Sequence, residues 1–208
     1  MQDRLLGAMV FLPVPVVLLL FTQAPLGPAF SLALGVALMA THRLYARPFA
    51  LSRAGRRCLW CGGAATGGPE LMVEEPLGVT RWRACGEPHE RRARQFLNWA
   101  GAHSRFVQLG ILGTLAVFLV LAALAAARPA GGVRYADAVN VFRLGIAATV
   151  LPLSILGVRD AAPATDRLRT PFPVHIQALI GTWAVLWLFR LVGAVWLVLS
   201  LAYFTRRF

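Results

Sequence analysis

Four residues carry the most specific chemistry in the chain: Cys58, Cys61, Cys85 and His89. The first two form a C-x2-C pair. After 23 residues a C-x3-H pair follows. Zinc takes four ligands in a tetrahedron, and thiolate sulfur and imidazole nitrogen suit it. Two cysteines separated by two residues can hold one ion from a tight knuckle, and Gly62 lets the backbone turn beneath the sulfurs. Cys85 and His89 lie where a turn runs into a helix, so its first turn can present the imidazole. A closed set of four ligands leaves no position for water. The expected role is therefore structural, folding a loop too small to fold alone. Three cysteines cannot close as disulfides, which favours a metal and a reducing compartment. A redox pair at Cys58 and Cys61, an iron site, or three incidental thiols are the competing readings. His103 is the reserve ligand.

Knuckle, hairpin, then helix start resembles the treble-clef and zinc-ribbon class of structural zinc modules. The resemblance covers residues 56–92 and concerns the architecture of a metal site. It implies two short strands between the ligand pairs, and the residues provide them at 70–74 and 78–83, with 75–77 turning between. A helix is expected to begin near Pro88, since proline is tolerated in a first turn and Glu87 and Glu90 suit the positive end of the dipole. Phe96, Trp99, Ala100, His103, Phe106, Val107 and Gly110 recur at helical spacing and share a face. The helix then leads into a membrane segment, with Gly101 as its expected hinge.

Two further groups invite a functional reading. His42, His103 and His175 each flank an apolar run. They are candidates for binding b-type haem or a quinone near one membrane surface, although histidine also tolerates an interface without any ligand. Arg190 lies midway along the last apolar run. A charge at that depth costs roughly 2.5–3.5 kcal/mol, so it is expected to meet a partner or to reach an interface. Trp187 on the same helical face offers a cation–π contact. A helix carbonyl, a lipid phosphate, another subunit or a bound anion are further partners.

The elements that position these groups read as membrane. Of 208 residues, 58% are hydrophobic and 14% charged, against about 25% charged in soluble domains. Apolar runs at residues 5–21, 29–45, 106–127, 141–158 and 174–204 predict five transmembrane helices. Pro13 and Pro15 should kink the first, whose charged start also fits a secretory signal peptide. The last run has about 31 residues and must tilt or project. The expected fold is an all-α polytopic membrane protein with a small treble-clef or zinc-ribbon-like cytoplasmic insert. Its organisation is a transmembrane helical hairpin over 1–45, a zinc-binding module and interfacial helix over 46–105, and a three-helix transmembrane segment over 106–208.

All 21 basic residues are arginine and the net charge is +12. The lysine-free composition reads as codon bias in a GC-rich bacterial genome. The arginines concentrate in 46–105, which places that segment in the cytoplasm; the loop 159–173 follows it there. Arg206 and Arg207 dissent from the outside carboxyl terminus that five spans imply. Anionic lipid headgroups account for the basic charge more economically than nucleic acid does. The glycines at 62–68 lack the lysine and frame of a phosphate loop, and the acidic residues form no catalytic pair. The expected function is thus a non-catalytic accessory or scaffold subunit in a complex of the bacterial inner membrane. The alternatives are a haem or quinone protein using the three histidines and a small anion transporter using Arg190.

Overall fold

The computed structural model describes residues 40–76, 78–127, 132–159, 168–172 and 174–207, together with 33, 36 and 37. The apolar run 5–21 and about half of 29–45 lie outside the described residues, as does most of the loop 159–173. The chain is mostly helical. Among the described residues, three helices are long and apolar enough to cross a membrane: α3 (Ser104–Ala127), α4 (Tyr135–Arg159) and α6 (Thr182–Arg207).

The module begins with a widened helical turn, His42–Ala46, which runs into α1 (Arg47–Leu51). Strands β1 (Glu70–Glu75) and β2 (Gly78–Arg83) pair antiparallel, with Leu71 opposite Trp82 and Val73 opposite Thr80. Side chains alternate across a strand, so Leu71, Val73 and Glu75 turn inward while Glu70 and Met72 face solvent. The expected hairpin is present. Helix α2 (Glu87–Ala102) starts one residue before Pro88, with Glu87 and Glu90 in its first turn. Its Ala93, Phe96, Leu97 and Ala100 follow the i, i+3, i+4, i+7 pattern and are buried. They close over Leu59, Leu71, Val73 and Trp82 to form the module core.

The module draws on more of the chain than 46–105. Strand β3 (Leu168–Arg169) adds to the other edge of β1 in parallel, giving the order β2-β1-β3. Leu168 joins the same core, and Arg169 pairs with Glu74 at 2.7 Å. A Cβ on Gly101 would lie 2.7 Å from the Arg169 carbonyl oxygen. Gly101 therefore permits the close approach of α2 to β3. The break between α2 and α3 falls at His103, two residues beyond the expected hinge.

The last apolar run is not one helix. Gly181, with φ of 94°, separates α5 (His175–Ile180) from α6. Helix α5 packs on the module, and only α6 is of spanning length.

The three long helices pack through small residues, as helices do where lipid removes the hydrophobic drive to associate. A Cβ on Gly110 of α3 would collide with Thr149 of α4, and one on Gly145 of α4 with Thr114 of α3. Gly193 of α6 faces Leu151 in the same way. Helix α3 leaves Leu109, Leu112 and Val120 exposed, as a lipid-facing helix should. The start of α3, the end of α4 and the start of α6 all meet the module. At the opposite end, Arg207 pairs with Asp137 and donates to the Gly132 carbonyl at 2.7 Å, while the Tyr203 hydroxyl donates to Asp137 at 2.7 Å. Helix α4 begins earlier than the apolar run predicts and so takes in this carboxylate. Arg207 is thereby neutralised within the chain, which weakens its vote as a topology signal.

Candidate metal centre and neighbouring polar sites

The backbone shapes the knuckle before any ligand is considered. The Cys58 N–H donates to the Gly63 carbonyl and the Gly62 N–H to the Cys58 carbonyl, both at 2.8 Å. Gly62 has φ of 68°, a conformation that L side chains rarely adopt. The Leu59 N–H donates to the Arg83 carbonyl at 2.8 Å, which ties the knuckle to the end of β2 two residues before Cys85. The His89 and Glu90 N–H groups both return to the Gly86 carbonyl, at 3.1 and 3.0 Å. That first turn of α2 brings the imidazole back over Cys85.

The ligand atoms of Cys58, Cys61, Cys85 and His89 all lie within 4.8 Å of one another, so the four could hold one metal ion. A tetrahedral zinc with metal–sulfur bonds of about 2.3 Å requires sulfur–sulfur edges of about 3.8 Å and slightly shorter sulfur–nitrogen edges. Cys61 Sγ lies 3.8 Å from Cys85 Sγ, and Cys58 Sγ lies 3.7 Å from His89 Nδ1. The Cys85 Sγ to His89 Nδ1 edge is 2.8 Å, a hydrogen-bonding distance that a shared ion would widen. The donor set is compatible with zinc.

The electrostatics suit a cation. Burial and then its neighbours Cys58 and Cys61 push the Cys85 thiol up to about 12. Burial opposes the Cys58 thiolate too, but hydrogen bonds with the backbone of Cys61, Cys85 and Trp60 bring that thiol below its ordinary value. Crowded thiolates disfavour one another, and a dication removes that conflict. Cys58 is fully buried and Cys85 is at the rim.

The knuckle is also bonded to α6, one of the helices of spanning length. The Thr182 N–H and hydroxyl both donate to the Leu59 carbonyl at 2.9 Å, and the Trp183 N–H donates to the Trp60 carbonyl at 3.0 Å. These N–H groups belong to the first turn of α6, which has no partners within its own helix. Arg57 donates to the Leu179 carbonyl at 2.8 Å on the same seam.

Of the three candidate histidines, two come together. His42 Nε2 lies 2.6 Å from His175 Nε2, so one imidazole donates to the other. His42 opens the widened turn, where the Arg47 N–H reaches back five residues to the His42 carbonyl. Such turns are frequent at functional sites. His103 is elsewhere: it stacks on Trp99 at 4.2 Å, and its Nδ1 lies 2.9 Å from the Trp99 carbonyl oxygen.

Behind the pair stands Glu75, which the sequence reading leaves in a turn. It is buried at the end of β1, with Oε2 3.7 Å from His175 Nδ1. It accepts from the Thr80 hydroxyl, the Trp82 indole and, at 3.2 Å, the Val174 N–H that opens α5. Burial raises its pKa, but the contact with His175 and these hydrogen bonds outweigh it and hold the carboxyl below the usual glutamate value. A carboxylate directly before Pro76 at a predicted strand end was the available signal.

Arg190 donates from Nε and one Nη to the Ser154 carbonyl, at 3.1 and 2.5 Å, and its guanidinium lies 5.0 Å from the Trp187 ring. The expected helix carbonyl and cation–π partner are both present. A second charge in the bundle, Arg143, was missed although it interrupts the run 141–158. It is buried, donates to Asn140 Oδ1 at 3.2 Å, and its Nε has no partner among the described residues.

Comparison with known protein families, curated proteins and solved structures gives no match.

Proposed function

We infer that this protein is a non-catalytic accessory or scaffold subunit of a bacterial inner-membrane complex. In this reading a structural zinc held by Cys58, Cys61, Cys85 and His89 organises a cytoplasmic, treble-clef-like module. Two further spans precede the module, making five. The observation that carries the reading is the direct bonding of the knuckle to the first turn of α6. A four-ligand site without an open position that grips a membrane helix has the chemistry of a clamp. The arginines of the module favour its cytoplasmic placement.

The docking surface is the outer face of the hairpin. Met72 and Val79 are 56% and 62% exposed there, ringed by Glu70 and Arg81. An apolar pair within a charged rim matches the anatomy of a protein interface. Tagged full-length protein, solubilised gently from its native membrane, should carry a stoichiometric membrane-protein partner. Met72→Asp with Val79→Asp should lose that partner while keeping the metal. A lone monomer with no partner in either form overturns the reading.

The redox alternative now rests on His42 and His175, since His103 is apart. Iron bound by both on opposite sides would hold the two nitrogens about 4 Å apart, against the 2.6 Å observed. An absorption spectrum without a Soret band in cofactor-replete protein removes its haem version. The anion-transporter alternative requires Arg190→Leu to abolish anion flux in reconstituted vesicles.

A further inference from the structure

A cavity of about 340 Å³ opens where the module meets the membrane helices. Trp60 of the knuckle, Arg92 and Gln95 of α2, and Trp183, Trp187 and Arg190 of α6 contribute to its walls. Two guanidinium groups therefore share one enclosure. Neither has a carboxylate partner among the described residues. Arg190 spends Nε and one Nη on the Ser154 carbonyl, which fixes the plane of the group and leaves the other Nη available. Gln95 is likewise fixed by donating to the Val158 carbonyl at 3.0 Å. Arg92 is exposed and Arg190 half-buried at this cavity, and an anion between two like charges meets attraction from both.

The depth of the site identifies the anion. Arg190 lies eight residues past Thr182, about 12 Å along the helix from its module end. Trp183 and Trp187 flank it and are each just over half exposed. Exposed tryptophans beside arginine mark the headgroup layer of a bilayer. A second groove, of about 470 Å³, adjoins the first at Trp187 and Arg190 and continues past Leu188 and Leu191. It leads onto the apolar surface of α6, where Leu191 and Val198 are exposed. One basic, indole-lined cavity opening into one apolar groove has the shape and polarity of a phospholipid.

We propose that Arg92 and Arg190 bind the phosphate of an anionic phospholipid, with an acyl chain lying along Trp187, Leu188 and Leu191. Charge–phosphate contacts from two arginines favour a headgroup with net negative charge over a zwitterionic one. The lipid then bridges the metal module and α6 at the same seam that the knuckle bonds join.

The test uses delipidated full-length protein in detergent, with retained lipid counted by native mass spectrometry. Phosphatidylglycerol, phosphatidylcholine and inorganic phosphate are the probes. The wild type should retain one phosphatidylglycerol per chain at least tenfold more tightly than phosphatidylcholine. Arg92→Gln and Arg190→Gln should each weaken phosphatidylglycerol about tenfold or more, and Arg56→Gln, exposed on the module and outside the cavity wall, should not. Arg92 is exposed and without a partner among the described residues, so its variant tests the site even if Arg190→Gln fails to fold. Equal retention of both lipids, or unchanged phosphatidylglycerol binding in Arg92→Gln, overturns the proposal. Displacement of the lipid by millimolar inorganic phosphate assigns the site to the free anion and overturns it equally.

Discussion

Gly62 and Gly181 face each other across a seam that leaves no room for a side chain on either. A Cβ on Gly181 would stand 2.5 Å from the Cys61 carbonyl carbon, and one on Gly62 would stand 2.7 Å from that of Ile180. Backbone lies on both sides, so no rotamer change can relieve the clash. Both residues also have positive φ. Gly181→Ala should therefore cost on the order of 2–4 kcal/mol and separate the knuckle from α6. Gly67 also has positive φ but open space around it, and Gly67→Ala should cost only about 1 kcal/mol. Thermal melting in detergent compares them, and equal losses would show that the seam contributes nothing beyond backbone strain.

The four ligands should act as a unit. Cys58→Ser and Cys85→Ser should each release the metal, about one per chain by elemental analysis, and loosen the module to protease. Without a metal the Cys85 thiol is held near 12 and is protonated at neutral pH. Metal binding must then release that proton. Affinity should rise with pH, by about tenfold per unit for each proton released. Metal content unchanged in both variants would rule out the site.

The histidines should separate by burial. His175 is 1% exposed and stands between Glu75 and His42. His175→Ala removes packing and leaves a buried carboxylate facing a void, at about 2–4 kcal/mol. His42→Ala loses one hydrogen bond, about 1 kcal/mol. His103→Ala, at an exposed helix junction, should stay under about 1 kcal/mol. Urea or thermal denaturation ranks the three, and a larger loss at His103 would show that the pair is not a structural unit.

Glu75 should make the fold acid-sensitive. Its folded pKa lies below the ordinary 4.5. The stability it adds is fully present above that value and is lost as pH falls through the lower, folded value. Glu75→Gln should lower the melting temperature at pH 7. The gap from wild type should narrow as pH drops below about 4.5. A gap independent of pH would assign the effect to packing instead of charge.

The local elements were legible in the sequence because each rests on its own residues. Turns at 67–69 and 75–77 bounded a segment short enough for a strand, and the i, i+3, i+4 recurrence of Phe96, Trp99 and Ala100 marked a helical face that is buried in the fold. The spacing of Cys58, Cys61, Cys85 and His89 specified a ligand set, since thiolates two residues apart have few other uses at that density. Apolar runs specified α3 and most of α4, whereas α6 is only part of the last run.

Tertiary structure decided what no window of sequence contains. Leu168 and Arg169 become a strand only because the edge of β1 offers them hydrogen bonds, and two residues carry no periodicity. Gly181 breaks the last apolar run, yet glycine inside a membrane segment is ordinary; the Cys61–Gly62 backbone pressed against it makes the break necessary. His42 and His175 are 133 residues apart in sequence, and only the docking of α5 on the module joins them. The sequence determined which residues could bind a metal and which could enter lipid, because those properties belong to side chains and their spacing. The fold decided that the cysteine knuckle and the long apolar helix α6 share one seam, because that depends on which backbone groups are left unpaired and what comes within reach of them.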